Sequence, residues 1–246
     1  MDSFDFALLL VILSGVTGLL YILGILISKL NHDSGILSSW WYSYSKSLFP
    51  IFFIVLVIRS FLFEPFQIPS GSMLPNLKIG DFIVVNRFSY GLRLPVINHK
   101  IIDINTPQRG DVVVFKFPQN HNVNFIKRVI GLPGDWVSYV DKQLFINDQP
   151  IENIQLNVGD NLYLEKLFAA QYDVAIDANR PSKSGSWLVP DNEYFVMGDN
   201  RDYSHDSRFW GTVHDDLLLG KAVYVWMQWD EFMSLPSFSA NRLIHN

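Results

Sequence analysis

The sequence predicts a mainly β protein in which two N-terminal transmembrane helices precede an antiparallel β-sheet domain with a small secondary lobe. Three observations predict it. Phe6 to Ser28 is an apolar run without a charge, Ser47 to Phe63 is a second apolar run, and from Asp81 onward short β-branched and aromatic segments alternate with turn residues.

The first run, FALLLVILSGVTGLLYILGILIS, rises about 1.5 Å per residue as a helix and so reaches across a bilayer core of about 30 Å. It follows Asp2 and Asp5, whereas a cleavable leader has a basic start, a shorter apolar region and a small-residue cleavage site. A transmembrane anchor over residues 6–28 is the expectation. The second run, 47–63, is at the short end of the spanning range, and Arg59 near its end can extend its stem toward head groups. An interfacial or buried helix is the other reading of that segment. The connection 29–46 carries Lys29, His32 and Lys46, while the flank before the first run carries only acids. Basic residues favour the cytoplasmic side, so 29–46 is expected to be a cytoplasmic loop, with the N-terminus and everything after Phe66 outside. Residues 1–66 then form the anchor region and 67–246 the β domain.

Composition narrows the functional classes. With 19 Lys+Arg against 24 Asp+Glu the net charge is -5, which offers no basic footprint for nucleic acid. The absence of cysteine excludes disulfides, thiolate catalysis and Cys-ligated metal sites. Hydrophobic residues make up 49% against 17% charged, an apolar excess concentrated in the two N-terminal runs.

In the β half, DFIVVNRF, RGDVVVFKFP, NFIKRVIGLPGDWV, KQLFINDQPI, EYFVMGDN and GKAVYVWMQW read as strands bounded by turns. The stretch Asn157 to Ser186 is more polar and reads as loop, so an inserted lobe is expected at about 137–193.

Chemistry-bearing residues gather in three places. IPSGSMLPNLKIGD, Ile68 to Asp81, brackets Ser70, Gly71 and Ser72 between Pro69 and Pro75, and its glycine permits a turn that exposes Ser72 beside its own amide. A bare linker has the same composition, and a serine needs a base before it acts as a nucleophile. In NFIKRVIG, period-two alternation sets Phe125, Lys127 and Val129 on one strand face and Ile126, Arg128 and Ile130 on the other. A lysine so flanked loses its proton more easily and can accept one from a serine, although strand lysines commonly reach solvent. In MGDNRDYSHDSRFWG, Asp206 and Arg208 can pair and hold Ser204, or form a solvated charged loop. His205 and His214 leave a Ser-His-Asp arrangement open.

Taken together, SGSMLPNL, RGDVVVFKFP with FIKRVIGLPGD, and GDNRDYSHDSR resemble the three blocks of the bacterial type I signal peptidases, or leader peptidases, in that family's order and behind two anchor segments. The resemblance implies a membrane-bound Ser/Lys endopeptidase without metal or cofactor. By matching position, Ser72 is the nucleophile, Lys127 the general base and Ser70 the side-chain donor of the oxyanion hole. Ser204 is the serine that orients the lysine, supported by Asp206 and Arg208. Substrate pockets for small side chains would be lined by Phe66, Ile68, Met73, Leu77, Ile83, Val114, Phe125 and Ile126. Asn76 stands where the family usually has Thr, and Tyr203 where it often has Asn. The implied partners are secreted preproteins cut after small residues one and three positions before the scissile bond, the lipid bilayer and the secretion translocon, with no nucleic acid. The implied location is the bacterial cytoplasmic membrane, multi-pass, with the catalytic domain on the extracytoplasmic side. The alternative from another class is a non-catalytic, membrane-tethered β domain that binds an envelope partner.

Overall fold

The charge-free run folds as one helix, Phe6–Asn31, in the computed structural model of the chain, which describes residues 6–31, 35–94, 99–157, 159, 161–229 and 235–245. A second helix, Trp40–Val57, ends in a π turn, Ile58–Leu62, and both are long and apolar enough to cross a membrane. This helix begins at Trp40, ahead of the expected span 47–63, and takes up part of the expected loop 29–46. Within that loop, residues 32–34 lie outside the described ones.

Packing explains the earlier start. Tyr42 and Ser45, both ahead of Ser47, are buried. Tyr42 meets the first helix at Gly24, where a Cβ would come within 2.3 Å of its ring, and Phe49 fits against Gly18 in the same way. Tyr21 stacks on Tyr42 and Phe49 at 5.8 and 6.3 Å between ring centres. Small residues thus let the two helices approach closely, as they do in membrane helix pairs.

The chain divides into two compact units, Met1–Phe63 with Leu92–Ile102, and Glu64–Gly91 with Asp103–Asn246. The division falls after Phe63 rather than after Phe66, and the hairpin of Leu92–Arg93 and Lys100–Ile102 belongs to the first unit.

An eight-stranded sheet dominates the β region. Its order is Phe63–Gln67, Asp81–Asn86, Leu218–Gln228, Val112–Phe117, Asn120–Gly131, Glu193–Met197 and Val213–His214, with Arg242–Leu243 added beside Leu218–Gln228. The β-branched runs Ile83–Val85 and Val112–Val114 supply buried side chains to it. Register sets Lys127 opposite Val113, and Arg128 between Val112 and Met197. Ile68, Met73, Leu77, Ile83, Val114 and Val225 share one core cluster, and Val113, Phe115, Val129, Val196 and Leu218 share another.

Between Trp136 and Leu188 the chain makes two further sheets. One joins Trp136–Val140, Gln143–Ile146, Gln149–Pro150 and Gly185–Leu188; the other joins Glu152–Gln155, Leu162–Leu167 and Ala170–Ala175. Asp141 and Lys142, then Asn147 and Asp148, link strands of the first sheet with positive φ at both residues, as two-residue hairpins require. The stretch Asn157–Ser186, expected to be loop, contains two whole strands among its described residues and the start of a third, Gly185–Leu188. Its polarity misled because the Glu165 carboxylate is buried and neutralised by Arg201, at 2.5 and 2.6 Å, with Tyr172 Oη donating to it at 2.7 Å. Leu167, Tyr172 and Val174 from the same strands join a core with Tyr139, Leu144 and Phe195.

Removing one partner of a fully buried ion pair strands the other, whereas an exposed pair contributes little. Glu165→Ala should therefore lower unfolding stability in denaturant by about 3–5 kcal/mol, while Glu152→Ala, which removes the exposed Glu152–Lys166 pair, should lower it by less than about 1 kcal/mol.

Candidate active site

Ser72 sits in a 3-10 turn, Gly71–Met73, entered from Ser70 in extended conformation. The surrounding segment is closed on itself: Ile68 N–H donates to Asp81 O at 2.8 Å and Gly80 N–H donates to Ile68 O at 3.0 Å. Met73 and Leu77, linked by a backbone hydrogen bond of 2.9 Å, are inserted in the core and pin the turn from below.

The strand Asn120–Gly131 brings Lys127 to this turn. Its Nζ lies 2.6 Å from Ser72 Oγ and donates to its neighbour's carbonyl, Ile126 O, at 2.9 Å, with the Phe125 ring 5.5 Å away. Lys127 is 4% exposed. Burial lowers its amine from the ordinary value of 10.5 to about 8, against the opposing pull of Asp206 and Asp199 and with a smaller push from Arg208. Ser70 Oγ stands 3.5 Å from Ser72 Oγ.

Two buried acid–arginine pairs frame the dyad. Arg208 grips Asp206 at 2.8 and 2.9 Å, and the same carboxylate accepts from Gly198 N–H at 3.0 Å. Arg128, next to Lys127 but on the other strand face, grips Asp199 at 2.8 and 2.7 Å, and Asn76 Nδ2 donates to Asp199 at 2.8 Å. The loop between them presses on the serine turn. A Cβ on Gly198 would come within 2.5 Å of Ser72 O and 2.3 Å of Ser204 Oγ, so only glycine fits that approach. Asn200 N–H donates to Ser72 O at 3.1 Å and Asn200 Nδ2 donates to Gly71 O at 3.0 Å.

Two cavities open beside the dyad. The larger, about 570 Å³, is lined by Ser70, Ser72, Phe125, Lys127, Asn200, Tyr203 and His205 among others. The smaller, about 30 Å³, is lined by Phe66, Ile68, Ile83, Val114, Phe125 and Ile126, together with Gln67, Pro69 and Asn124.

Such an arrangement can perform acyl transfer. A neutral amine in contact with a hydroxyl takes its proton as the oxygen attacks a carbonyl, and a second hydroxyl stands ready for the oxyanion. The sequence blocks that suggested this are matched by family comparison: a model described as signal peptidase, peptidase S26 matches residues 41–229.

The chain belongs to the S26 signal peptidase family.

Signal peptidase I of Pseudomonas fluorescens is 46% identical across 98% of this chain and 99% of its own, and that of Pseudomonas aeruginosa is 48% identical across 82% and 78%. A crystal structure of a signal peptidase I from Enterococcus faecalis V583 aligns over 48% of this chain and 98% of that one, at 31% identity and a TM-score of 0.33.

Within this S26 peptidase the structure brings Ser70, Ser72 and Lys127 together, and gathers six of the eight expected lining residues at the smaller cavity. Met73 and Leu77 line neither of these two cavities and are buried in the core beneath the serine turn. Ser204 Oγ is buried beside Gly198 and has no hydrogen-bond partner among the described residues, the lysine amine included. Asp206 and Arg208 pair as expected but hold the Gly198 amide. Neither histidine bonds to Ser72: His205 packs against the Phe117 and Phe209 rings, and His214 accepts from Asp216 N–H at 3.2 Å. The roles of Asn200, of the Arg128–Asp199 pair and of Asn76 are not legible in the sequence: the first three lie inside GDNRD or beside Lys127 and Asn76 lies in the serine block, but their partners lie far away in the chain.

A base that works only when neutral loses activity as pH falls through its pKa. The acidic limb of kcat/KM should therefore have its midpoint at about 8. Lys127→Ala should lower kcat by at least about 10²–10⁴-fold, and Lys127→Arg should not restore it because arginine stays protonated. A steady-state pH series on the three proteins checks this, and a fully active Lys127→Arg would contradict it.

Proposed function

We propose that this S26 peptidase removes N-terminal signal peptides from exported preproteins with a Ser72/Lys127 dyad. The observation that carries the reading is the 2.6 Å approach of a buried, readily deprotonated lysine amine to a serine hydroxyl, in a chain of the signal peptidase family. Ser72 Oγ attacks the scissile carbonyl while Lys127 Nζ takes its proton. The oxyanion accepts from the Ser72 amide and the Ser70 hydroxyl. Collapse breaks the C–N bond, and the lysine ammonium returns its proton to the leaving amine, which becomes the N-terminus of the mature chain. Lys127 then deprotonates a water that attacks the acyl carbonyl, collapse breaks the bond from that carbon to Ser72 Oγ, the lysine ammonium returns the proton to Oγ, and the signal peptide leaves as a carboxylic acid.

Specificity follows from cavity size. The smaller cavity, about 30 Å³ against about 570 Å³ for the larger, is lined mostly by apolar side chains and so suits a small side chain better than a large one. Its apolar walls favour Ala over a larger side chain one and three positions before the cut. A substrate lying extended against the sheet would offer alternate side chains to such pockets.

The two apolar helices support a membrane anchor. In this reading the chain is a multi-pass protein of the bacterial cytoplasmic membrane. The segment between its helices faces the cytoplasm and the β domain faces the outside, beside the secretion translocon and the lipid surface from which preproteins emerge.

Cleavage of a preprotein in lipid tests the proposal. Wild type should release the mature chain, Ser72→Ala should not, and Trp at either small position of the preprotein should block processing. Cleavage by Ser72→Ala would refute the nucleophile, and efficient processing of the Trp substrates would refute the pocket assignment. If wild type cuts no preprotein, the reading as a non-catalytic binding domain takes its place.

A further inference from the structure

Asn200 touches the nucleophile's turn twice, and one of those contacts falls on a peptide unit with a special task. The peptide joining Gly71 to Ser72 carries the Gly71 carbonyl on one side and the Ser72 N–H on the other, held antiparallel by the planar trans amide. Asn200 Nδ2 donates to that carbonyl at 3.0 Å. The assignment of the amide is secure in chemistry, because a carbonyl oxygen only accepts and must face the NH₂ group rather than the side-chain oxygen. A second bond, from Asn200 N–H to Ser72 O at 3.1 Å, fixes the next peptide unit. Asn200 is itself held, by Tyr203 N–H donating to Asn200 O at 3.0 Å and by the neighbouring Asp199 locked to Arg128. Both Asn200 and Ser72 line the larger cavity.

We infer that Asn200 is a positioning residue for the oxyanion hole: by anchoring the Gly71 carbonyl it sets the plane, and hence the aim, of the Ser72 N–H that receives the developing negative charge. The inference rests on Ser72 being the nucleophile. Anchoring acts in two ways. It prevents the peptide from rotating the N–H away from the oxyanion, so the donor needs no reorganisation at the moment of attack. It also polarises the amide, since a hydrogen bond accepted at the carbonyl strengthens donation by the N–H of the same peptide. Neither effect touches the lysine or the ground-state substrate. The loss on removing Asn200 must therefore appear in the chemical step alone.

Asn200→Ala removes the anchor, and Asn200→Asp replaces the donor by an acceptor of the same shape that repels the Gly71 oxygen. Both are compared with wild type on a signal-peptide substrate, and each is also titrated with a peptide boronate whose adduct on Ser72 presents a tetrahedral oxyanion. Complete loss of an oxyanion donor lowers turnover by about 10²–10³-fold, so a misaimed one should lower kcat by about 10–100-fold, with Asp the worse substitution. KM, the midpoint of the acidic limb and the unfolding temperature should stay at their wild-type values, and the boronate inhibition constant should rise by the same factor as kcat falls. A change confined to KM would make Asn200 a substrate contact, a shifted acidic limb would make it act through Lys127, and a matching fall in unfolding temperature would make it merely structural. Each of these overturns the inference. Full activity in both Asn200 variants while Ser72→Ala is inactive sinks this inference alone, whereas activity in Ser72→Ala sinks the nucleophile first.

Discussion

The active site depends on keeping one amine out of water. Lys127 has two carboxylates in its electrostatic surroundings, Asp206 and Asp199, and both favour its protonated form. Each is clasped through both of its oxygens by an arginine, Asp206 by Arg208 and Asp199 by Arg128. Desolvation outweighs both acids, with a smaller push in the same direction from Arg208. The acid–arginine pairs also neutralise the two buried carboxylates that the loop brings close to the lysine.

The same pairs distribute the mechanical tasks of the site. Arg128 comes from the strand that bears Lys127, and Asp199 from the loop that presses on Ser72, so their bond ties the lysine and the serine turn to one frame. Asp206 fixes the Gly198 amide, and Gly198 in turn lets Ser204 and the Ser72 carbonyl come close. The C-terminal strand adds a further tie, with Arg242 donating to Asn76 O at 2.8 Å and to Asp81 at 2.6 Å, at the end of the serine-bearing segment. Ser72, Lys127 and their supports come from segments distant in sequence, as expected when a β-sheet gathers them by long-range pairing.

Much of this was legible in the sequence where the signal was local. Alternation alone gave Lys127 an apolar face, because a strand's period of two is unaffected by what pairs with it. The hydrophobic runs gave two helices for the reason that length and apolarity are properties of one segment. Legibility failed where a residue's meaning depends on a distant partner. Glu165 looked like a loop residue until Arg201 neutralised it, and Asn200 looked like any member of a charged cluster until its amide met Gly71. Met73 and Leu77 illustrate a different limit, since an apolar residue beside a cleft reads alike whether it faces the cleft or the core. The second helix begins at Trp40, ahead of the apolar run from Ser47, and Tyr42 in its first turn packs against Gly24, a partner that hydropathy along one segment does not reveal.

The central claim is that Lys127 is uncharged when Ser72 needs a base, and the amine itself can be observed. Protein labelled with ¹³C-lysine, in detergent micelles, would give a Cε resonance for Lys127, assigned by its disappearance in Lys127→Arg. Followed against pH, that resonance should titrate with a midpoint at about 8, apart from the other lysines. A midpoint at the value of a solvated lysine, about 10.4, would mean that burial does not deprotonate the amine, and would contradict the account.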